Sequence, residues 1–325
     1  MRNFVIGLFG ALFSIASGAK NITIDIPDGV AEETCKVIVN PVMANRIFLY
    51  KSFDGDIKNF RLYDGKWTPH YDGGYDESQK KWLGYDWVTK RTLPAAREQQ
   101  IYVDPQYKGS SNQALGLNPF SVVDGRLVIT ARSIPPNLNA ALPGFSFTSG
   151  LITTRSSFLQ KYGYFEIDAK VPQGAHLLPA FWLLPFDKSW PPEIDVFEAP
   201  GHEKDTIITT VHSKDSIGKI HHSGCRLNMP NYDRNFHKYG VLWLPDKLIF
   251  YIDRKPVSIV KSPSGFDKPM YMLANLAVGG TWVGFMMNDD GVPVDYVIKD
   301  ISAYSLKNNF ECNLSQDGAK LCQGM

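Results

Sequence analysis

Three carboxylates crowd into six residues of the chain: Glu193, Asp195 and Glu198, within WPPEIDVFEAPG at 190–201. Ile194, Val196 and Phe197 separate them, and acids alternating with apolar residues read as a strand with one polar and one apolar face. On a regular strand Glu193, Asp195 and Phe197 would share a face and Glu198 would point away. A bulge after Asp195 would return Glu198 to the carboxylate face, and bulges are over-represented beside active sites. Carboxylates brought this close cannot all ionise freely, so one is pushed towards its protonated form. A charged and an uncharged carboxyl side by side can attack a carbon and protonate a leaving oxygen, as cleavage of a glycosidic bond requires.

The roles follow from that geometry. Retaining enzymes hold the two carboxyls about 5–5.5 Å apart, and a bulge makes Glu193 and Glu198 such a pair. Glu193 is the candidate nucleophile and Glu198 the general acid and then base. Asp195, between them, orients Glu193, and its charge helps keep Glu198 protonated. The bland alternative is an exposed strand whose acids are simply solvated. Calcium is a further rival, but Trp190, Pro191, Pro192 and Phe197 supply few of the oxygen donors it needs. No cofactor or metal is expected for the reaction, and a structural calcium ion stays open.

Carbohydrate sites also need flat apolar platforms beside polar groups. Trp182 and Trp190 precede the acids, and Trp282 follows a Gly-Gly turn. Trp190 and Trp282, beside Pro or Gly at strand ends, are candidates for stacking on sugar rings, whereas Trp243 reads as structural. His212, on the strand after the acids, is placed to reach the same groove or to serve as a core histidine. His221 and His222 point to opposite faces of a strand and do not chelate one metal together. No phosphate-binding glycine loop and no nucleophile elbow is present.

The elements that must position these residues are strands. Segments 124–132, 147–155, 161–172, 180–185, 193–198 and 206–213 carry strand patterns, followed by two strands about a turn at Pro245-Asp246, then 270–280 and 294–306. In 161–172, Phe165, Ile167, Ala169 and Val171 alternate with Tyr164, Glu166, Asp168 and Lys170, a period of two with one buried face. Helical periodicity is almost absent, so the fold class is all-β, a sandwich or jelly roll of antiparallel sheets. Residues 51–118 read as long loops carrying Trp67, Tyr71, Tyr75, Trp82, Tyr85 and Trp87, most of which are expected to pack the loops onto the sandwich while one or two line a sugar groove. Residues 20–50 read as an N-terminal arm or edge strands, 51–306 as the body, and the polar tail 307–325 as an appendage.

Residues 1–19 have the form of an export signal, with Arg2, an apolar run from Phe4 to Ala16, and small residues before Lys20. The expected location is therefore periplasmic or extracellular, with no membrane attachment after cleavage. Four cysteines in an exported chain allow three pairings; Cys312–Cys322 would close a short loop and leave Cys35–Cys225 as the long-range bridge. Two N-glycosylation patterns, at Asn21 and Asn313, matter only in a eukaryotic source. A net charge of +1 over 325 residues suggests neither nucleic acid nor an anionic membrane as partner. A neutral polysaccharide fits, and a monomer is expected.

The acidic strand and its neighbours resemble glycoside hydrolase family 16. EIDVFE (193–198) has the form of that family's bulged E-x-D-x-x-E signature. TSGLI (148–152), YGYFE (162–166), PAFWLLP (179–185), FHKYGVLWLPDKLIFYID (236–253), NLAVGG (275–280) and VDYV (294–297) stand around it in order, with a weaker match at REQQIYVDP (97–105). The resemblance implies a concanavalin-like jelly roll with a groove on its concave sheet, and a retaining double displacement by Glu193, Asp195 and Glu198. It also implies that Trp182, His212, Asn275 and Trp282 contact sugar rings. Transglycosylation on the same acids is an alternative, and a non-catalytic carbohydrate-binding module a remoter one. One departure stands out: GAHLLPAFW (174–182) has Leu178 where many members carry a tryptophan. The local pattern is most like that of bacterial enzymes that cut secreted exopolysaccharides.

Overall fold

A computed structural model describes residues 20–27, 36–38, 42–71, 75–76, 81–82, 88, 90–307, 311–314 and 320–323. Residues 1–19, read as an export signal, and Cys35, Tyr85 and Trp87 lie outside the described residues, as do the side chains of Tyr75, Trp82, Cys312 and Cys322. Two large sheets, of twelve and nine strands, dominate the described chain. They pack face to face, as alternating strands with one apolar side must.

The nine-stranded sheet carries the acids. From one edge inward, its strands lie in the order Ile220–Asn228, Thr206–Lys214, Glu193–Glu198, Leu177–Pro185 and Met270–Val278, each antiparallel to the next. Their inward side chains include Phe181, Leu183, Ile194, Phe197, Val211, Met272 and Ala274. These meet Phe165, Ile167, Val241, Trp243, Phe250, Ile298 and Ile301 from the twelve-stranded sheet. Trp243 is fully buried against Tyr162 and Phe165, the structural role its strand position suggests. Each fully buried side chain of this size contributes about 1.5–3 kcal/mol, so the acidic strand is held from behind by its own apolar half.

The described parts of segment 20–50 form edge strands, one of the two forms expected of it. Ile22–Pro27 pairs with Met43–Asp54, and the latter runs through residue 50 to join Val294–Ser305 in the larger sheet. Ile22, Ile24 and Leu49 cover Tyr164, Leu242, Tyr251 and Ile259 on that sheet's outer face. The tail is likewise part of the architecture rather than an appendage. Lys320–Gln323 lies parallel to Phe158–Lys161 and antiparallel to Glu311–Leu314, extending the nine-stranded sheet. Cys312 sits directly opposite Cys322 in that register, and Cys225 is disulfide-bonded.

Described parts of the 51–118 segment lie against the concave face, through Tyr71, Leu93, Ala95, Ala96 and Tyr102. Trp67 and Tyr71 are buried, packing their loops onto the sandwich as expected for most of the segment's aromatics. Trp67 packs on Phe53 and donates its indole N–H to the carbonyl of Gly55 at 2.9 Å. Tyr71 joins Tyr102, Trp182, Tyr271 and Leu273 in an apolar layer on the concave side. Among the described residues a groove remains on this face, and the acidic strand borders it.

Candidate active site

The acidic strand is bulged where its chemistry requires it. Opposite Leu177–Pro185, Asp195 pairs with Trp182 while Phe197 pairs with Phe181, and Val196 has no partner of its own. The same shift appears against Thr206–Lys214, where Asp195 faces Thr210 and Glu198 faces Ile208. Val196 and Phe197 both turn into the core, and Glu198 emerges on the face that bears Glu193 and Asp195. Gly201, just beyond, holds the exit of the strand: a Cβ there would come within 1.6 Å of the Gly174 carbonyl oxygen.

The register aligns concave side chains in rows across the sheet. One row runs Ala180, Glu198, Ile208 and Arg226; the next Trp182, Asp195, Thr210 and Gly224; the third Leu184, Glu193, His212 and His222. They border a groove of about 1020 Å³, lined also by Tyr71, Leu93, Trp190, Tyr271 and Trp282. Glu193 and Glu198 open into it, and Asp195 lies beneath them at 2% exposure.

Every acid has a partner. The Trp190 indole N–H donates to Glu193 Oε2, and Glu193 is in hydrogen-bond contact with Asp195. His212 Nε2 lies 2.8 Å from Asp195 Oδ2, and Thr210 hydrogen-bonds Glu198. Burial, and then the charge of Asp195, push Glu193 up to about 8. Burial raises Asp195 to about 7. Glu198 is held well above the usual carboxylate range by burial and then by the charges of Asp195 and Glu193. The cluster therefore keeps at least one proton at neutral pH, with Glu198 its strongest holder, and titrates as a unit.

Among the described residues, Glu193, Asp195 and His212 form the one group whose donor atoms, within 4.8 Å of one another, could hold a metal ion. Hydrogen bonds from Trp190 and between His212 and Asp195 already occupy those atoms. The donor set is satisfied as an acid cluster.

Trp190 and Trp282 are 46% and 42% exposed along the groove, available as stacking surfaces. His212 lines it as well. Trp182 presents one edge to the groove but is otherwise buried, and donates its indole N–H to Asn275 Oδ1 at 2.7 Å. Asn275 is buried beside Trp182, with its Nδ2 donating to the Tyr102 hydroxyl at 2.9 Å. Each end of its amide makes one hydrogen bond, to Trp182 and to Tyr102, so it holds the floor of the groove in place.

Sequence reasoning missed Thr210, His222, Arg226 and Tyr271 as groove residues, and named Tyr71 only as one of six loop aromatics from which groove residues could come. His222 was within reach, because one of two adjacent histidines on a strand must face inward. The groove wall holds another omission. Gln99 accepts from the Met286 N–H at 2.6 Å and donates to its carbonyl at 3.0 Å, while Thr281 N–H donates to Ala96 at 2.9 Å. These bonds clamp the 93–99 segment to the loop bearing Trp282, which explains why REQQIYVDP accompanies the acidic motif.

Residues 115–297 match the glycosyl hydrolases family 16. The chain belongs to that family. It is 35% identical over 311 residues to the endo-1,3-1,4-beta-glycanase EglC of Rhizobium meliloti (strain 1021), covering 91% of this chain and 62% of that one. The endo-1,3-1,4-beta-glycanase ExsH of the same organism is 34% identical, with 92% and 63% covered. The chain thus spans about three fifths of the length of these relatives. The endo-beta-1,3-glucanase of Pyrococcus furiosus superposes with a TM-score of 0.59 at 26% identity, over 80% of this chain and 95% of that one. Family 16 membership and the two-sheet sandwich agree.

Proposed function

We propose that this chain is an endo-acting, retaining β-glycanase that hydrolyses a β-linked glucan. The observation that carries this reading is the bulge at Val196, which brings a hydrogen-bonded Glu193–Asp195 pair and a proton-holding Glu198 to one open groove. Glu193 attacks the anomeric carbon as Glu198 gives its proton to the departing glycosidic oxygen, leaving a glycosyl ester on Glu193. Glu198, now a base, takes a proton from water, whose oxygen attacks the same carbon and releases Glu193 with net retention. Asp195 holds Glu193 in place, and its charge delays ionisation of Glu198.

Two relatives carry the name endo-1,3-1,4-β-glycanase, which supports a mixed-linkage β-glucan or a β-glucan-based exopolysaccharide as substrate. Leu178 replaces the flat ring that many members place before the acids, which argues against strict borrowing of a β-1,3-glucan preference. The charged and apolar pattern of residues 1–19 supports export, where such polymers are met.

A panel of laminarin, mixed-linkage glucan, agarose, carrageenan and bacterial exopolysaccharides, with linkage analysis of products, tests the reading. Internal cuts in a β-glucan are expected. Binding without new reducing ends would make the chain a binding module, and products longer than the substrate would make it a transglycosylase.

A further inference from the structure

We propose that His222 is a positioning residue for the reaction, holding the His212 ring so that its Nε2 faces Asp195. This rests on the glycanase reading above only in giving Asp195 its assisting role. His222 lies on the edge strand Ile220–Asn228, directly opposite His212. Their Nδ1 atoms are 2.5 Å apart and the rings cross at 80°, 4.6 Å between centroids. The far nitrogen of His212 reaches Asp195 Oδ2 at 2.8 Å, so one imidazole bridges the edge strand and the buried acid.

An imidazole can present either nitrogen to a neighbour by turning about its ring axis. For His212 the turn is opposed on one side by the Asp195 contact and on the other by the His222 contact. The remaining neighbour, the Trp190 ring at 6.1 Å, gives His212 a face to rest on but no hydrogen bond. Gly224, next on the concave side of the edge strand, supplies no side chain at all. His222 is therefore the one group among the described neighbours that fixes the outer nitrogen of His212. His221, on the opposite face, is engaged with Asp215 at 2.9 Å and cannot substitute.

Three variants separate a hydrogen bond from mere space filling. His222→Ala removes both, His222→Leu keeps bulk without polarity, and His222→Asn places an amide near the lost Nδ1. Expected for Ala and Leu is a fall in kcat of up to about tenfold, the order for one lost hydrogen bond, with KM unchanged within about twofold. Asn should recover most of the loss. In the resting protein, the His212 Nε2–H proton resonance should be sharp in wild type and Asn, and broadened or absent in Ala and Leu. The proposal is overturned if Ala turns over like wild type, if Leu matches Asn, if the loss falls in KM alone, or if the resonance is unchanged in Ala. The resonance needs no substrate. A protein that cuts no glucan would sink the glycanase reading, while the positioning role would still be decided.

Discussion

Asp195 and Glu198 stand three residues apart yet face the same groove, because Val196 is squeezed out of both flanking ladders. That single extra residue converts an alternating strand into a row of three acids backed by Val196 and Phe197 in the core. Deleting Val196 would restore the regular ladder and turn Glu198 inward among Phe181, Ile194 and Tyr239. An uncompensated buried carboxyl costs several kcal/mol. The deletion should abolish activity and lower the midpoint of thermal unfolding by more than about 5 °C. A deletion variant with wild-type stability and turnover would show that the bulge is not what places Glu198.

The charge of Asp195 raises the pKa of both Glu193 and Glu198. Activity needs Glu193 ionised and Glu198 protonated, so kcat/KM should rise with pH as the Glu193–Asp195 pair ionises near 7–8 and fall when Glu198 loses its proton. Asp195→Asn removes the charge and lets both glutamates ionise more readily. Both limbs of the profile should move to lower pH, with kcat reduced by about a hundredfold. Limbs that stay in place would mean Asp195 acts only as a spacer.

Trp190 acts on Glu193 in the opposite sense. Its indole N–H stabilises the ionised carboxylate and holds the pKa down against burial. Trp190→Phe keeps an aromatic surface but loses the donor, so Glu193 stays protonated to higher pH. The acidic limb of kcat/KM should shift upward while the alkaline limb, set by Glu198, moves little. A downward or absent shift would contradict the assignment.

The same raised acids weaken the fold at neutral pH. A carboxyl whose folded pKa exceeds its unfolded value near 4.5 binds more proton in the folded state, so stability falls as pH rises from the unfolded to the folded value. Glu193→Gln and Glu198→Gln should each raise the midpoint of unfolding at pH 7 by about 2–4 °C, corresponding to about 1 kcal/mol. Near pH 4 both states of the wild type are largely protonated, and the gain should shrink. Equal gains at both pH values would point to packing rather than charge.

Much of this was legible in the residues. The spacing of Glu193, Asp195 and Glu198 demands a bulge if all three are to act together, and the bulge lies there. Period-two alternation located most strands, since one face of each is buried. The edge strand Ile220–Asn228 escaped because its inward side chains are Ser223, Cys225 and Leu227, small and mixed, with Gly224 in its middle. Missing that strand hid His222 and Arg226 from the groove. The partners of Asn275 and the place of Tyr71 were not legible for a different reason. Whether an amide or a phenol faces a sugar or a tryptophan depends on which loop covers the sheet, and the 51–118 segment carries no periodicity that would tell. The tail strands pair through backbone with Phe158–Lys161, a partner 162 residues earlier in the Phe158↔Lys320 register, which local pattern cannot foresee.

The central claim is that Glu193 forms a covalent glycosyl ester during turnover. Incubation with an activated 2-deoxy-2-fluoro-β-glucan oligosaccharide, followed by intact-mass measurement and peptide mapping, tests it directly. One added glycosyl unit on Glu193 is expected, with β-configured product released first from the natural substrate. A label on Glu198, or no label with α-configured product, would contradict it.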